Sequence, residues 1–216
     1  MELYNAPIFR GIAKEDLQAM LPCLGHSSRS FLKGEHCLHA GQTCDKIGIL
    51  TKGRLHIETS DAAGNVAILE TLEAGQPFAV AYACGGDSIV DIDVIADEDS
   101  TVEYLQVKRV MHSCPKNCSC HSALVRNLLV SMSKKNVSLN RRAIAVAPKT
   151  LRGKLMAYFA LQQKIAGANE FTIPFTHEEL SKYLGCDRSS LSAKLAKLRA
   201  DGRISYKGKR YQLLVQ

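Results

Sequence analysis

The spacing of apolar and polar positions changes character twice along the chain. Residues 6–24 carry Ile8, Phe9, Ile12, Leu17, Met20 and Leu21 in an amphipathic pattern that breaks at Pro22, which predicts a short helical lead-in. From residue 27 to about 109 the apolar residues fall in short β-type runs (SRSFL, KIGIL, RLHIETS, VAILETL, DIDVIA, TVEYLQV) punctuated by glycines. Many short strands at regular turn spacing predict a β-sandwich or roll. The stretch DAAGN at 61–65 is its clearest hairpin turn, since Gly and Asn both tolerate positive φ.

After Pro115 the period becomes helical. Leu124, Leu128, Met132 and Leu139 fall at spacings of four, four and seven, and no helix breaker intervenes between 121 and 147. At 1.5 Å per residue this is on the order of 40 Å of helix, longer than a core of this size buries unaided. Such a seam predicts pairing with a second copy through those four residues, while a helix covering the roll within one subunit is the alternative, and different faces can do both. Pro148 ends the helix and supplies a hinge, and residues 150–165 form another amphipathic helix.

The densest local signals lie in 176–204, THEELSKYLGCDRSSLSAKLAKLRADGRI. Thr176 and Glu179 make a capping box, Leu180 and Leu184 give the inner face of a short helix, and Gly185 stops it. Asp187 is expected to cap a second helix, in which Leu191, Leu195 and Leu198 form the buried stripe. On its opposite face Ser189, Ala193, Ala196 and Ala200 project outward, bordered by Arg188, Ser192 and Arg199 on one side and Ser190, Lys194 and Lys197 on the other. Short side chains let a helix approach base edges while the cations meet phosphates, so this spacing predicts a helix-turn-helix in a major groove. An ordinary solvated helix is the bland alternative. The following RISYKGKRYQLLVQ predicts two strands around a basic tip, with Lys207, Lys209 and Arg210 within reach of phosphate.

Charge sharpens this picture. Residues 149–216 hold 13 of the 28 Lys and Arg but 5 of the 21 Asp and Glu, so the excess of +7 sits wholly in the segment with the two-helix motif. That asymmetry favours a polyanionic partner. With no apolar run of membrane-spanning length and no signal-peptide layout at MELYNAPIFRG, a cytoplasmic protein without membrane association is expected. In that setting the eight cysteines point to buried, metal-bound or redox-active thiols instead of disulfides. No nucleophile, base and orienting group can be matched by spacing, and no glycine-rich phosphate loop is present in the sequence, which argues against an enzyme.

An N-terminal β-roll, a long dimerisation helix, a hinge and a C-terminal winged helix-turn-helix, an α+β arrangement, together resemble the Crp/Fnr family of bacterial transcription regulators. The likeness covers nearly the whole chain. KGEHCLHAGQTCDKIGILTKGRLHI looks like the family's entry into the roll, LEAGQPF like the turn before its ligand pocket, and FTHEELSKYLGCDRSSLSAKLAKLRADGRI like its DNA-reading element. FTIPFTHEEL and LGCDRSSLSAKL look most like a cysteine-bearing subgroup common in anaerobic bacteria. The resemblance implies a sensor domain at 1–115, a dimerisation helix at 116–147 and a DNA-binding domain at 148–216. It further implies a homodimer on a palindromic promoter site, with RNA polymerase as a partner if the regulator activates. It also implies an effector pocket in the roll beside the long helix, here Phe78, Tyr82, Cys84, Val90, Asp91 and Asn127, and a base- and phosphate-contacting set drawn from Thr176, Arg188, Ser189, Ser190, Ser192, Ala193, Lys194, Lys197, Lys207, Lys209 and Arg210. A sensory module whose C-terminal domain binds protein is the alternative.

Two departures qualify it. Cyclic-AMP-binding members have a Gly-Glu-Leu run after the phenylalanine and then an Arg-Ser pair. Here AVAYACGG follows Phe78, and Val90-Asp91 stands where that pair would be. A carboxylate there repels a cyclic phosphate, so cyclic AMP is not expected. In the second helix Ser189 and Ala193 replace the family's base-reading acidic residue and arginine, so a different operator is expected, with Ala193 suited to a thymine methyl.

Three sensing chemistries remain. Cys114, Cys118, Cys120 and His121 in CPKNCSCH can converge on an Fe–S cluster or zinc, with a further ligand from Cys23, Cys37, Cys44 or Cys84. The same thiols at a helix start suit metal-free redox sensing, or they are packed cysteines. A haem on His36, His39, His56 or His121 is the third.

Overall fold

The computed structural model describes residues 2–86, 89–112 and 119–214. After two short 3-10 turns and helix α1 (Lys14–Met20) come strands β1 (Ser27–Phe31), β2 (His36–Leu38), β3 (Lys46–Lys52), β4 (Arg54–Ser60), β5 (Val66–Glu73) and β6 (Pro77–Phe78). Helix α2 (Val80–Cys84) precedes β7 (Asp93–Ala96) and β8 (Ser100–Gln106), and α3 (Val107–Met111) leads to the long α4 (Ser119–Val146). Two antiparallel sheets result, ordered β1-β8-β3-β6 and β2-β7-β4-β5. Asp61 closes the hairpin between β4 and β5 as expected, its carboxylate accepting from the amides of Ala63 and Asn65, with Gly64 at φ +82°.

The first sheet separates two apolar layers. Leu50, Val102, Phe31 and Phe78 meet Leu55, Leu72, Val94 and Ala96 of the second sheet, whereas Ile47, Ile49 and Leu105 pack with Phe9, Leu17 and Leu24 of the N-terminal segment and with Leu124 and Leu128 of α4. That two-sided burial is why KIGIL reads as a continuous apolar run instead of alternating. It also corrects the expected seam: Leu124 and Leu128 are buried in the chain's own core, Met132 is half-buried, and Leu139 is exposed. The exposed large apolar residues of α4 are Leu129, Val130, Val137, Leu139 and Ile144.

The chain forms two compact units, Met1–Ser133 and Lys134–Gln216, divided inside α4. In the second, α5 (Leu151–Ala166) starts at Thr150, whose hydroxyl accepts from Gly153 N. It is followed by β9 (Glu170–Thr172), α6 (His177–Leu184), α7 (Arg188–Ala200), β10 (Ile204–Lys207) and β11 (Arg210–Leu213). Tyr158, Phe159, Phe171 and Tyr211 fill its core with Leu180, Leu184, Leu191, Leu195 and Leu198. The wing is a three-stranded sheet, β10-β11-β9, one strand more than the sequence predicted. No described helix is long and apolar enough to cross a membrane.

Candidate nucleic-acid interface

Helix α6 begins where the capping box requires. Thr176 Oγ1 accepts from Glu179 N at 3.2 Å, and the Glu179 carboxylate accepts from Thr176 N at 2.6 Å. Hydrogen bonds from the Thr176 amide first, and then from its hydroxyl, hold the Glu179 carboxyl below its ordinary range. The turn to α7 runs through Gly185 at φ +64°, a conformation cheap only for glycine. Asp187 occupies the N-cap position of α7 but makes no side-chain cap bond, which differs from the expectation.

Two cations on distant elements fasten the C-terminus of α6, a feature with no signal in sequence spacing. Lys154 Nζ donates to Leu184 O at 3.0 Å, and Arg142 Nε donates to Tyr183 O at 3.2 Å, with the guanidinium 5.9 Å from the Tyr183 ring. They satisfy carbonyls that a helix end leaves without partners and sit at the negative end of its dipole.

Along α7 the three leucines are fully buried, so the remaining face is turned out. Arg188, Ser189, Ser190, Ser192, Ala193, Ala196, Lys197, Arg199 and Ala200 are exposed, and Lys194 is half-buried. Arg199 lies 5.3 Å from the ring of Tyr206 and so braces α7 against the wing. At the wing tip Lys207 and Arg210 are exposed. Lys209 is exposed as well, and its Nζ donates to Pro174 O at 2.7 Å, pinning the tip to the segment before α6.

Residues 153–215 match the model of the Crp-like helix-turn-helix domain, and residues 28–113 match that of the cyclic nucleotide-binding domain. Together the two matches span about two-thirds of the chain in the order the fold displays. The chain belongs to the Crp/Fnr family of transcription regulators.

Solved structures agree with this at the level of fold. The catabolite activator protein of Thermus thermophilus is similar with TM-score 0.52 at 17% identity, over 96% of this chain and 93% of that one. The c-di-GMP responsive global regulator CLP of Xanthomonas campestris is similar with TM-score 0.53 at 15% identity, over 92% and 98%. A CprK variant complexed with OCPA is similar with TM-score 0.61 at 13% identity, over 93% and 89%. No curated protein sequence matches the chain.

Of the regulator's expected effector residues, Tyr82 and Asp91 meet, and the others make separate contacts. Tyr82 OH donates to Asp91 Oδ1, and burial first, then Asp91, pushes the phenol up to about 12. Thr59 Oγ1 donates to Asp91 O at 3.3 Å. Phe78 and Val90 are core: Phe78 lies over Gly48 and meets Tyr104 edge-on at 6.4 Å. Cys84 packs against the layer beneath the N-terminal segment. Asn127 is the plainest correction, since its amide donates to the carbonyls of Ile8 (3.0 Å) and Arg10 (2.8 Å), anchoring α4 to the N-terminal turns.

The cysteines are similarly dispersed. Cys114 and Cys118 lie outside the described residues. Cys120 is half-buried against the apolar layer, and His121 is buried with its Nε2 donating to Val110 O at 2.7 Å, so the carbonyl already takes one of its two nitrogens. Burial pushes the Cys37 thiol up to about 12 and raises those of Cys44, Cys84 and Cys186. These four are poor thiolates at neutral pH and poor candidates for metal-free redox sensing.

Proposed function

We propose that the regulator is a homodimer that reads a palindromic promoter site with α7, gated by an effector other than cyclic AMP or by a redox signal held elsewhere than in the four raised-pKa thiols. The supporting observation is the exposed ridge Ser189, Ala193, Ala196 and Ala200 of α7, fenced by Arg188, Lys197 and Arg199. Nothing long stands on that ridge, so base edges can come within direct contact while the fence engages phosphates.

Pairing is supported by α4. Val130, Val137 and Ile144 are exposed, seven residues apart and all β-branched, the residue type that favours two strands at alternate seam positions of a coiled coil. Two copies joined so would present α7 to successive major grooves about 34 Å apart. The division of labour is then a sensor at 1–115, a dimerisation helix at 116–147 and a DNA-binding domain at 148–216. RNA polymerase is a further partner if the regulator activates.

Family membership leaves the effector open, because CLP responds to c-di-GMP whereas CprK was complexed with OCPA. Asp91 supports exclusion of cyclic AMP: its carboxylate, fixed by Tyr82, stands within the stretch where a phosphate-binding member has its Arg-Ser pair, and Val90 supplies no cation there. Two titrations of the full chain test this. Affinity for duplex DNA is expected to fall linearly with salt on logarithmic axes, and cyclic AMP is expected to give no calorimetric heat. Salt-indifferent DNA binding, or micromolar heat with cyclic AMP, would contradict the proposal.

A further inference from the structure

A second site stands out on the sheet β2-β7-β4-β5 of the first unit. In a regular strand residues three apart face opposite sides, so His36 and His39 should point away from each other. They do not. The pairing of β2 with β7 shifts by one residue, His36 standing opposite Ile95 and Leu38 opposite Val94. The extra residue turns Cys37 and Leu38 together toward the core and leaves both histidines on the outer side. There the two imidazoles stack with centroids 4.2 Å apart and planes 11° from parallel.

Asp93 of β7 faces them from the neighbouring strand. Its Oδ1 lies 3.2 Å from His36 Nδ1 and 3.7 Å from His39 Nδ1. The amide of Ala40 donates to the same oxygen at 3.2 Å and so fixes the carboxylate in place. One ligand atom from each of the three side chains falls within 4.8 Å of the other two. Four-coordinate zinc with bonds of about 2.0–2.1 Å needs ligand atoms roughly 3.4 Å apart, within small rotations of this arrangement.

We propose that His36, His39 and Asp93 bind a divalent first-row transition ion such as zinc or cobalt. Two imidazoles and one carboxylate suit zinc, nickel, cobalt or ferrous iron, and are not the oxygen-only set that calcium or magnesium takes. His39 is half-exposed and Asp93 20% exposed, which leaves one side open for entry and for a water as a further ligand. Cys37, between the histidines, is turned inward and is not part of the site. His56, on the adjacent strand, is a natural comparison. Its Nδ1 is engaged by Asp97 at 2.8 Å and its Nε2 by Glu58 at 3.0 Å, so both nitrogens already have carboxylate partners. The site bridges the edge strand β2 to β7, which begins at Asp93, two residues after the Asp91 that accepts from Tyr82.

Chelator-treated full-length protein titrated with cobalt(II) tests the proposal. One ion per chain is expected, with visible d–d bands, no sulfur-to-cobalt charge-transfer band, and displacement by zinc. His39→Ala should weaken binding more than about 100-fold and the near-isosteric Asp93→Asn at least about 10-fold, since even outer-shell partners cost 10–100-fold. His56→Ala should bind as the parent does. Thermal unfolding of each metal-free variant guards against a folding defect. Undiminished binding by His39→Ala and Asp93→Asn, a thiolate charge-transfer band, or no binding by the parent would each overturn the assignment and leave a hydrogen-bonded His–Asp cluster.

Discussion

Gly48 shows how one residue governs what the roll can hold. A Cβ added there would collide with the ring of Phe78, so glycine is what lets that phenylalanine lie flat against β3. Gly48→Ala is expected to destabilise the protein by about 1–3 kcal/mol, the range for overpacking a filled core, as read by urea denaturation. A loss below about 0.5 kcal/mol would mean that Phe78 is loosely held and that the pocket reading of it survives. Burial of ionisable residues has a second consequence. Cys37 and Tyr211 are each pushed up to about 12 by burial, from ordinary values of 9.0 and 10.0. The unfolded chain therefore sheds these protons first. Their stabilisation is full below about pH 9 and is lost as pH rises toward about 12. The urea midpoint should fall steadily over that window, and less steeply in Cys37→Ala; a flat profile would contradict the burial of both groups. None of this was legible in the sequence, because the neighbours of Phe78 and Cys37 are brought from distant strands.

Elements were far more legible than their partners. The capping box, the Gly185 stop and the leucine stripe lie within a few residues of one another, so local rules suffice, and α6 and α7 stand where the pattern places them. The bond from Lys209 to Pro174 O was not legible because its partner is 35 residues away, and β9 was missed because three residues carry too little period. The histidine spacing was visible, but not the register shift that turns both rings the same way. These placements separate two kinds of cation. Arg188, at the start of α7, should set sequence preference, so Arg188→Ala is expected to lower the ratio of specific to random binding. Lys207, exposed at the wing tip, should act on all DNA alike, and Lys207→Ala should flatten the salt slope by about one. Fluorescence anisotropy on a selected duplex and a scrambled one distinguishes them; equal losses on both duplexes for both variants would contradict the assignment.

At the scale of the whole molecule, α4 joins the two compact units and carries two apolar faces with different duties. Leu124 and Leu128 belong to the chain's own core, and Val130, Val137 and Ile144 are exposed. The sequence revealed one long apolar helix but not which stripe faces inward, because that depends on where the N-terminal segment and β3 pack. The proposed function requires that two α7 helices, held by a paired α4, enter one duplex together. Selection of bound sequences from a random DNA pool, run on the parent and on Val137→Glu with and without oxygen, tests it most directly. The parent should enrich an inverted repeat whose half-sites lie about 10 base pairs apart centre to centre, and Val137→Glu should lose the repeat. No enriched sequence in either redox state, or the same inverted repeat from Val137→Glu, would contradict it.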